Sequence, residues 1–192
     1  MSINSKSELM EYLLQDAKAS GRNSTKPSFF GDEIWKFQVS LRKLEYYTNM
    51  AHKSLLYRIP TFFYKFKSHN LGIKLGFSIP IDVFDKGLSI AHYGQITVSK
   101  QAKVGVNCRI HEGVNIGSTN GSPKAPIIGN NVFIATGAKI IGNITIADDV
   151  CIGANAVVVK SITEPGTTWA GVPARKISNH DSHSNLSKFL SL

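Results

Sequence analysis

Residues 98–162 read VSKQAKVGVNCRIHEGVNIGSTNGSPKAPIIGNNVFIATGAKIIGNITIADDVCIGANAVVVKSI, and the spacing of their branched aliphatic side chains decides the fold. Counting in sixes from Val98 gives Val104, Ile110 and Ile116, then Ile128, Ile134, Ile140, Ile146, Ile152 and Val158; only Ser122 breaks the count. The residue after each is usually small, as at Gly105, Gly117, Gly129, Ala135, Ala147 and Gly153. Two positions before each stands another modest side chain, such as Ala102, Cys108, Val132, Ala138, Val150 and Ala156. This is a hexapeptide repeat. Six residues make one short strand and its corner, so three units make one triangular coil of a parallel β-helix. The branched residue points inward and the small one lets the chain turn. No coil can bury its apolar face alone, so the coils stabilise one another. The period itself leaves the handedness open.

The single interruption is informative. Between Ile116 and Ile128 the chain runs through Ser118-Thr119-Asn120-Gly121-Ser122-Pro123-Lys124-Ala125-Pro126. So polar a stretch cannot fill an interior, which predicts a loop extruded at 118–126. Such a loop is a candidate wall for a binding cleft.

Upstream the six-residue period is absent, which predicts a helical domain over 1–70, the β-helix over 71–178 and a tail over 179–192. Ser5 and Glu8 have capping-box spacing, and Leu9, Leu13 and Ala17 share one helical face. Gly21 is a stop signal, 22–30 reads as a loop, and Asp32 is placed to cap a second helix carrying Ile34, Phe37, Leu41 and Leu44. A third apolar stretch, Leu55 to Phe66, is interrupted by Pro60 and mixes Arg58 and Lys65 with Phe62, Phe63 and Phe66. It fits either a helix packed on the protein or one lying on an anionic membrane surface. From Leu71 to Leu88 apolar residues alternate, as in strands entering the β-helix. The tail ends amphipathically, through Leu186, Phe189 and Leu190, and also carries His180 and His183.

The chain holds 22 Lys and Arg against 13 Asp and Glu, a net charge of +9. No nucleic-acid motif accompanies that excess, which points to an anionic small molecule or glycan, or to solubility alone. No apolar run approaches membrane-spanning length and the start is too polar for a secretory signal. Cys108 and Cys151 sit at different phases of the repeat, so no disulfide framework is expected and a cytoplasmic location fits.

Ile90-Ala91-His92-Tyr93-Gly94, the repeat, the extruded loop and Ala170-Gly171-Val172-Pro173-Ala174-Arg175 together resemble the hexapeptide-repeat acyltransferase superfamily. Within it the order of motifs is similar to serine O-acetyltransferases and to the acetyltransferases of capsule and surface-polysaccharide synthesis. The resemblance covers roughly residues 70–178. It implies a left-handed coil, a homotrimer with clefts between subunits, acetyl-CoA as co-substrate and no metal. It implies that His92 is the catalytic general base, since an imidazole can take a hydroxyl proton as that hydroxyl attacks a thioester. It implies CoA contacts at Thr136, Ala154, Lys160 and Arg175, with Lys139 a further candidate. His111, about one coil beyond His92, is a candidate for substrate binding or for tuning His92. The two cysteines are expected to be inert.

The departures bear on the acceptor. Serine acetyltransferases usually carry Asp directly before the catalytic His, where this chain has Ala91. Their loop histidine is replaced by the Lys124-Ala125-Pro126 segment. A serine ammonium would lose anionic partners, so a sugar hydroxyl, as in surface-polysaccharide synthesis, is the expectation, with L-serine as the alternative. A carboxylate partner for His92 has four candidates: Asp16, Asp82, Asp85 and Glu112. Of these Asp16 and Asp85 are also taken as substrate-binding candidates. A zinc-dependent form of the fold needs three histidines, and the repeat region supplies only His92 and His111.

Overall fold

The computed structural model describes residues 2–119 and 121–190; Met1, Asn120 of the extruded loop, and Ser191 and Leu192 of the tail lie outside them. Three helices come first: α1 (Lys6–Ala19), α2 (Glu33–Ala51) and α3 (Arg58–Leu75). The strands follow: β1 (Phe77–Ser78), β2 (Ser89–Ile90), β3 (Ile96–Val98), β4 (Lys103–Val104), β5 (Arg109–Ile110), β6 (Asn115–Gly117), β7 (Ile127–Ile128), β8 (Phe133–Ile134), β9 (Lys139–Ile141), β10 (Thr145–Ile146), β11 (Cys151–Ile152), β12 (Val157–Val158), β13 (Thr168–Ala170) and β14 (Arg175–Ser178).

The strands form three parallel ladders: β1-β3-β6-β9-β12, β4-β7-β10 and β2-β5-β8-β11-β13, with β14 antiparallel on β13. These are the faces of a triangular prism. The registers show the coil length directly. Ile134 pairs with Ile152, and Ile140 with Val158, steps of 18 residues. Ile110 pairs with Ile134 and Ile116 with Ile140, steps of 24, because the extruded loop adds one hexapeptide without adding a strand. All ten aliphatic residues of the count are buried, and Val104, Ile110, Ile116, Ile134, Ile140 and Ile152 are wholly enclosed. Burying each such side chain is worth about 1.5–3 kcal/mol.

One corner carries a polar ladder. Asn107, Asn131 and Asp149 all adopt positive φ, a conformation that Asn and Asp tolerate better than most residues. Asn107 donates to Asn131 and Asn131 to Asp149, each at 2.9 Å. Gln15 of α1 closes one end by donating to Asn107, and His183 closes the other at 2.8 Å from Asp149. Leu186 and Leu190 pack with Ala19 and against Phe133, so the tail is docked on the prism.

The helices seat on the first coil. Leu13 and Ala17 of α1 meet Trp35 and Val39, while Phe37 and Leu41 on the other face of α2 enter the β-helix core. The joint is a buried ion network. Arg42 donates to Asp16 at 2.7 Å, to Glu45 at 3.1 Å and to the carbonyls of Phe84 and Asp85. Glu45 also accepts from the Asp82 backbone N–H.

Several expectations change. Asp32 makes no cap bond to α2; its carboxylate instead accepts from Arg22 and from the Ser28 N–H. In the Ser5–Glu8 box, Ser5 caps as expected, but the Glu8 carboxylate accepts from Asn4. Pro60 does not interrupt α3. It falls in the first turn, where no intrahelical N–H bond is lost. The helix then continues to Leu75, so Ile73 and Leu75 are helical and the first strand starts at Phe77. Phe62, Phe63 and Phe66 are not core: they stand exposed, while Tyr64 stacks on Tyr47 of α2 at 5.3 Å. A cavity of about 1130 Å³ lies between α2, α3 and the β1–β3 edge, lined by Phe37, Phe62, Phe66, Phe77 and Thr97 among others. His92 does not line it.

Candidate active site

The site is a file of residues along one corner of the prism. Ile90 pairs with Ile110, Ile110 with Ile134, Ile134 with Ile152 and Ile152 with Trp169. Two residues beyond each strand, the same registers stack His92, Glu112, Thr136, Ala154 and Gly171 at the corner. The backbone follows: Gly137 donates to the Glu112 carbonyl at 2.9 Å and Asn155 to the Thr136 carbonyl at 2.8 Å. Three coil steps separate His92 from Ala154, about 14 Å at the usual strand spacing. The sequence places His92, Thr136 and Ala154 in separate roles; the coil puts them in one line.

His92 is exposed. Its ring meets that of His111 edge to face, centroids 5.5 Å apart, and His111 in turn packs edge to face on Phe133 at 5.2 Å. The step from Ile90 to Ile110 is 20 residues, so the side chain stacked on His92 is Glu112, with His111 stacked on Ala91. A ligand atom from each of His92, His111 and Glu112 lies within 4.8 Å of the others. Gly94 makes the room: a Cβ there would come within 2.9 Å of the Glu112 Cβ, and its φ is +136°.

The electrostatics follow. Burial pulls the His111 pKa below the ordinary histidine value, aided by Arg109 and His92, with Glu112 opposing. Glu112 is held below the usual carboxylate range by its own backbone N–H, then by the Thr136 hydroxyl and the two imidazoles. Thr136 is close enough for that influence but outside hydrogen-bond geometry, and Glu112 Oε2 is enclosed without a hydrogen-bond partner among the described residues. The site therefore offers a neutral imidazole, an exposed imidazole and an ionised carboxylate.

The other candidates fall elsewhere. Asp16 is fully buried and accepts from Arg42, Gly87 and Leu88, so it welds the helices to the prism and cannot meet a substrate. The Asp85 carboxylate accepts from the Tyr12 hydroxyl and the Lys86 N–H in the same joint. For Asp16 this corrects the substrate-binding expectation, while Asp85 is half-buried and engaged within the joint. The sequence singles out Asp16 because it lies in a helix comparable to one in the resembling family; it could not show Arg42 claiming this end of the fold. Lys139 donates to the Gly113 carbonyl beside Glu112. Lys160 is exposed. The exposed Arg175 donates only to the Ala174 carbonyl among the described residues. Cys108 and Cys151 are buried, and burial raises both thiols, which leaves them without thiolate character.

The family model "Bacterial transferase hexapeptide (six repeats)" matches residues 125–160. The chain folds as a left-handed β-helix with helices at its N-terminal end, and it resembles the hexapeptide-repeat acyltransferases. Within that class it resembles serine acetyltransferases. One from Staphylococcus xylosus is 38% identical over 108 residues, 52% of this chain and 50% of that protein. One from Helicobacter pylori strain J99 is 36% identical over 95 residues, 48% and 55% respectively. The chain spans about half the length of these curated relatives. Among solved structures, serine acetyltransferase from Brucella abortus strain S19 superposes with a TM-score of 0.71 at 27% identity, covering 92% of this chain and 71% of that one. The same enzyme in complex with coenzyme A gives 0.62 at 26%, covering 91% and 70%.

These relatives overturn the expectation of a sugar hydroxyl as acceptor. Ala91 also does not leave His92 without a nearby negative charge, because Glu112, twenty residues on, brings a carboxylate within 4.8 Å of it.

Proposed function

We propose that this chain transfers an acetyl group from acetyl-CoA to the hydroxyl of L-serine. The observation that carries the reading is the corner file, in which an exposed imidazole and a carboxylate head a line of residues that continues through Thr136 and Ala154. His92 takes the hydroxyl proton as the oxygen attacks the thioester carbonyl. The tetrahedral oxyanion collapses, the carbon–sulfur bond breaks, and the imidazolium returns its proton to the departing CoA thiolate. Glu112 orients the His92 ring and stabilises the imidazolium, the work a carboxylate does beside a catalytic histidine. No covalent enzyme intermediate is needed, which agrees with two buried thiols.

The pantetheine arm lies along the corner, against Thr136 and Ala154. Lys160 and Arg175 meet the phosphates, where their charge and donors suit the ligand. In a homotrimer a neighbouring subunit walls the exposed side of His92, so the cleft is completed between copies. The test is release of CoA thiol from acetyl-CoA with and without L-serine, run beside His92→Ala. Serine-dependent release by the native chain and its loss in the variant is the expected result. Release that ignores L-serine overturns the acceptor, and release that survives in His92→Ala overturns the base.

A further inference from the structure

His92, His111 and Glu112 converge on the first coils without hydrogen-bonding to one another. One ligand atom from each lies within 4.8 Å of the other two. Among the described residues neither imidazole has a hydrogen-bond partner for its ring nitrogens, and Glu112 Oε2 is enclosed and equally unpartnered. Two imidazoles and a carboxylate oxygen without a partner thus lie within reach of a single ion. We propose that this cluster binds one zinc-class divalent ion, and that the bound ion switches acetyl transfer off.

The donor set selects the metal. Two imidazoles and one carboxylate suit zinc and its first-row neighbours, whereas magnesium and calcium want oxygen alone. Zinc sits about 2.0–2.2 Å from such ligands, which places tetrahedral ligand atoms about 3.3 Å apart. Closing from 4.8 Å to that separation needs only small side-chain rotations. His92 is exposed and free to make them. His111 is steadied against Phe133, and Glu112 rests on the space that Gly94 leaves. The fourth position stays open to water. The consequence for catalysis is direct: the lone pair His92 needs to accept the hydroxyl proton is taken by the metal. Glu112 is withdrawn from the imidazole at the same time. The second half of this proposal rests on the acetyl-transfer reading; the binding half does not.

The test starts from metal-stripped full-length protein, titrated with zinc against a chromogenic chelator and with cobalt(II) by visible absorption, both without acetyl-CoA. The expected result is one ion per chain and tetrahedral cobalt bands in the native protein. Affinity should fall at least tenfold in His111→Ala and in Glu112→Gln. His183, which lies beside Asp149 and Asp181, is the competing site on the tail, and His183→Ala should bind as the native chain does. Equal binding by native chain and site variants, or a loss confined to His183→Ala, overturns the proposal. In the thiol-release assay, one equivalent of zinc should abolish turnover and a chelator restore it; unchanged turnover with zinc bound overturns the inhibitory half. A chain that binds zinc as described but transfers no acetyl group would sink the proposed function while leaving the metal site standing.

Discussion

Glu112 stands directly beneath His92, one coil along the same corner of the prism, because the first full turn here takes 20 residues. The carboxylate nearest in register to the imidazole therefore comes from the following coil and not from the residue before the histidine.

That placement predicts a graded loss of activity. His92→Ala should lower kcat by roughly 10²–10⁴-fold, the usual contribution of a positioned acid–base group. Glu112→Gln, which keeps shape and removes charge, should cost about tenfold or more of that, with Glu112→Asp recovering part. The effect should fall on kcat more than on KM, and the acidic limb of the pH–rate profile, set by a base that must be unprotonated, should move to lower pH. Steady-state kinetics across pH checks it; an unchanged profile in Glu112→Gln would show that the carboxylate does not act through the imidazole.

Gly94 gives a second prediction. Its φ of +136° is one that L side chains rarely adopt, and an added Cβ would press on the Glu112 stem at 2.9 Å. Gly94→Ala should therefore leave the stacked core folded but displace Glu112, lowering turnover about as much as Glu112→Gln does. Combining the two changes should cost little more than either alone, because they act on one contact. A fully additive double variant would contradict this.

The pH dependence of stability follows from two groups. Burial, then Arg109 and His92, hold His111 below its ordinary pKa, so the folded chain binds that proton less readily than the unfolded chain. Stability from this source is intact above the unfolded value of about 6.5 and declines as pH falls below it, toward the depressed folded value. Glu112 is also depressed, so its contribution is lost in turn as pH falls through the carboxylate range. Both steps have the same sign. Melting temperature against pH should thus fall on the acid side in two stages, and His111→Gln should remove the upper one. Superimposed profiles for native chain and variant between about pH 7 and 5 would refute it.

The prism was legible in the sequence because its interior is built from one kind of contact repeated. Ile134 and Ile152 meet for the same reason as Ile140 and Val158, and a period of six records this without any knowledge of the rest. The extruded loop was legible for the converse reason, as the place where that contact cannot be made. What escaped were contacts that join segments of no common period. Asp16 and Arg42 are far apart in sequence and meet only because α1 and α2 both sit on the first coil. Glu112 is one of four carboxylates that the sequence leaves open as a partner for His92, and it is the register of β2 on β5 that stacks it on the histidine. Counting histidines likewise missed the three-ligand cluster, since its third member is that same carboxylate.

Arg42 supplies the last prediction. Its guanidinium is wholly buried and satisfies Asp16, Glu45 and the carbonyls of Phe84 and Asp85. Removing it leaves two carboxylates enclosed together without a counter-charge, and breaking such a network from one side costs about 3–5 kcal/mol. Arg42→Ala should lower stability by that amount in urea unfolding. Arg42→Lys should recover only part, because a single ammonium cannot span the fork that bridges Asp16, Glu45 and the two carbonyls. The damage should appear first where α1 and α2 meet the prism, as faster amide exchange at Gly87 and Leu88, whose N–H groups Asp16 accepts at 2.7 and 2.9 Å. The coils from β7 onward should keep their protection. Uniform loss of protection through every coil would instead mean that the helices and the prism unfold as one unit.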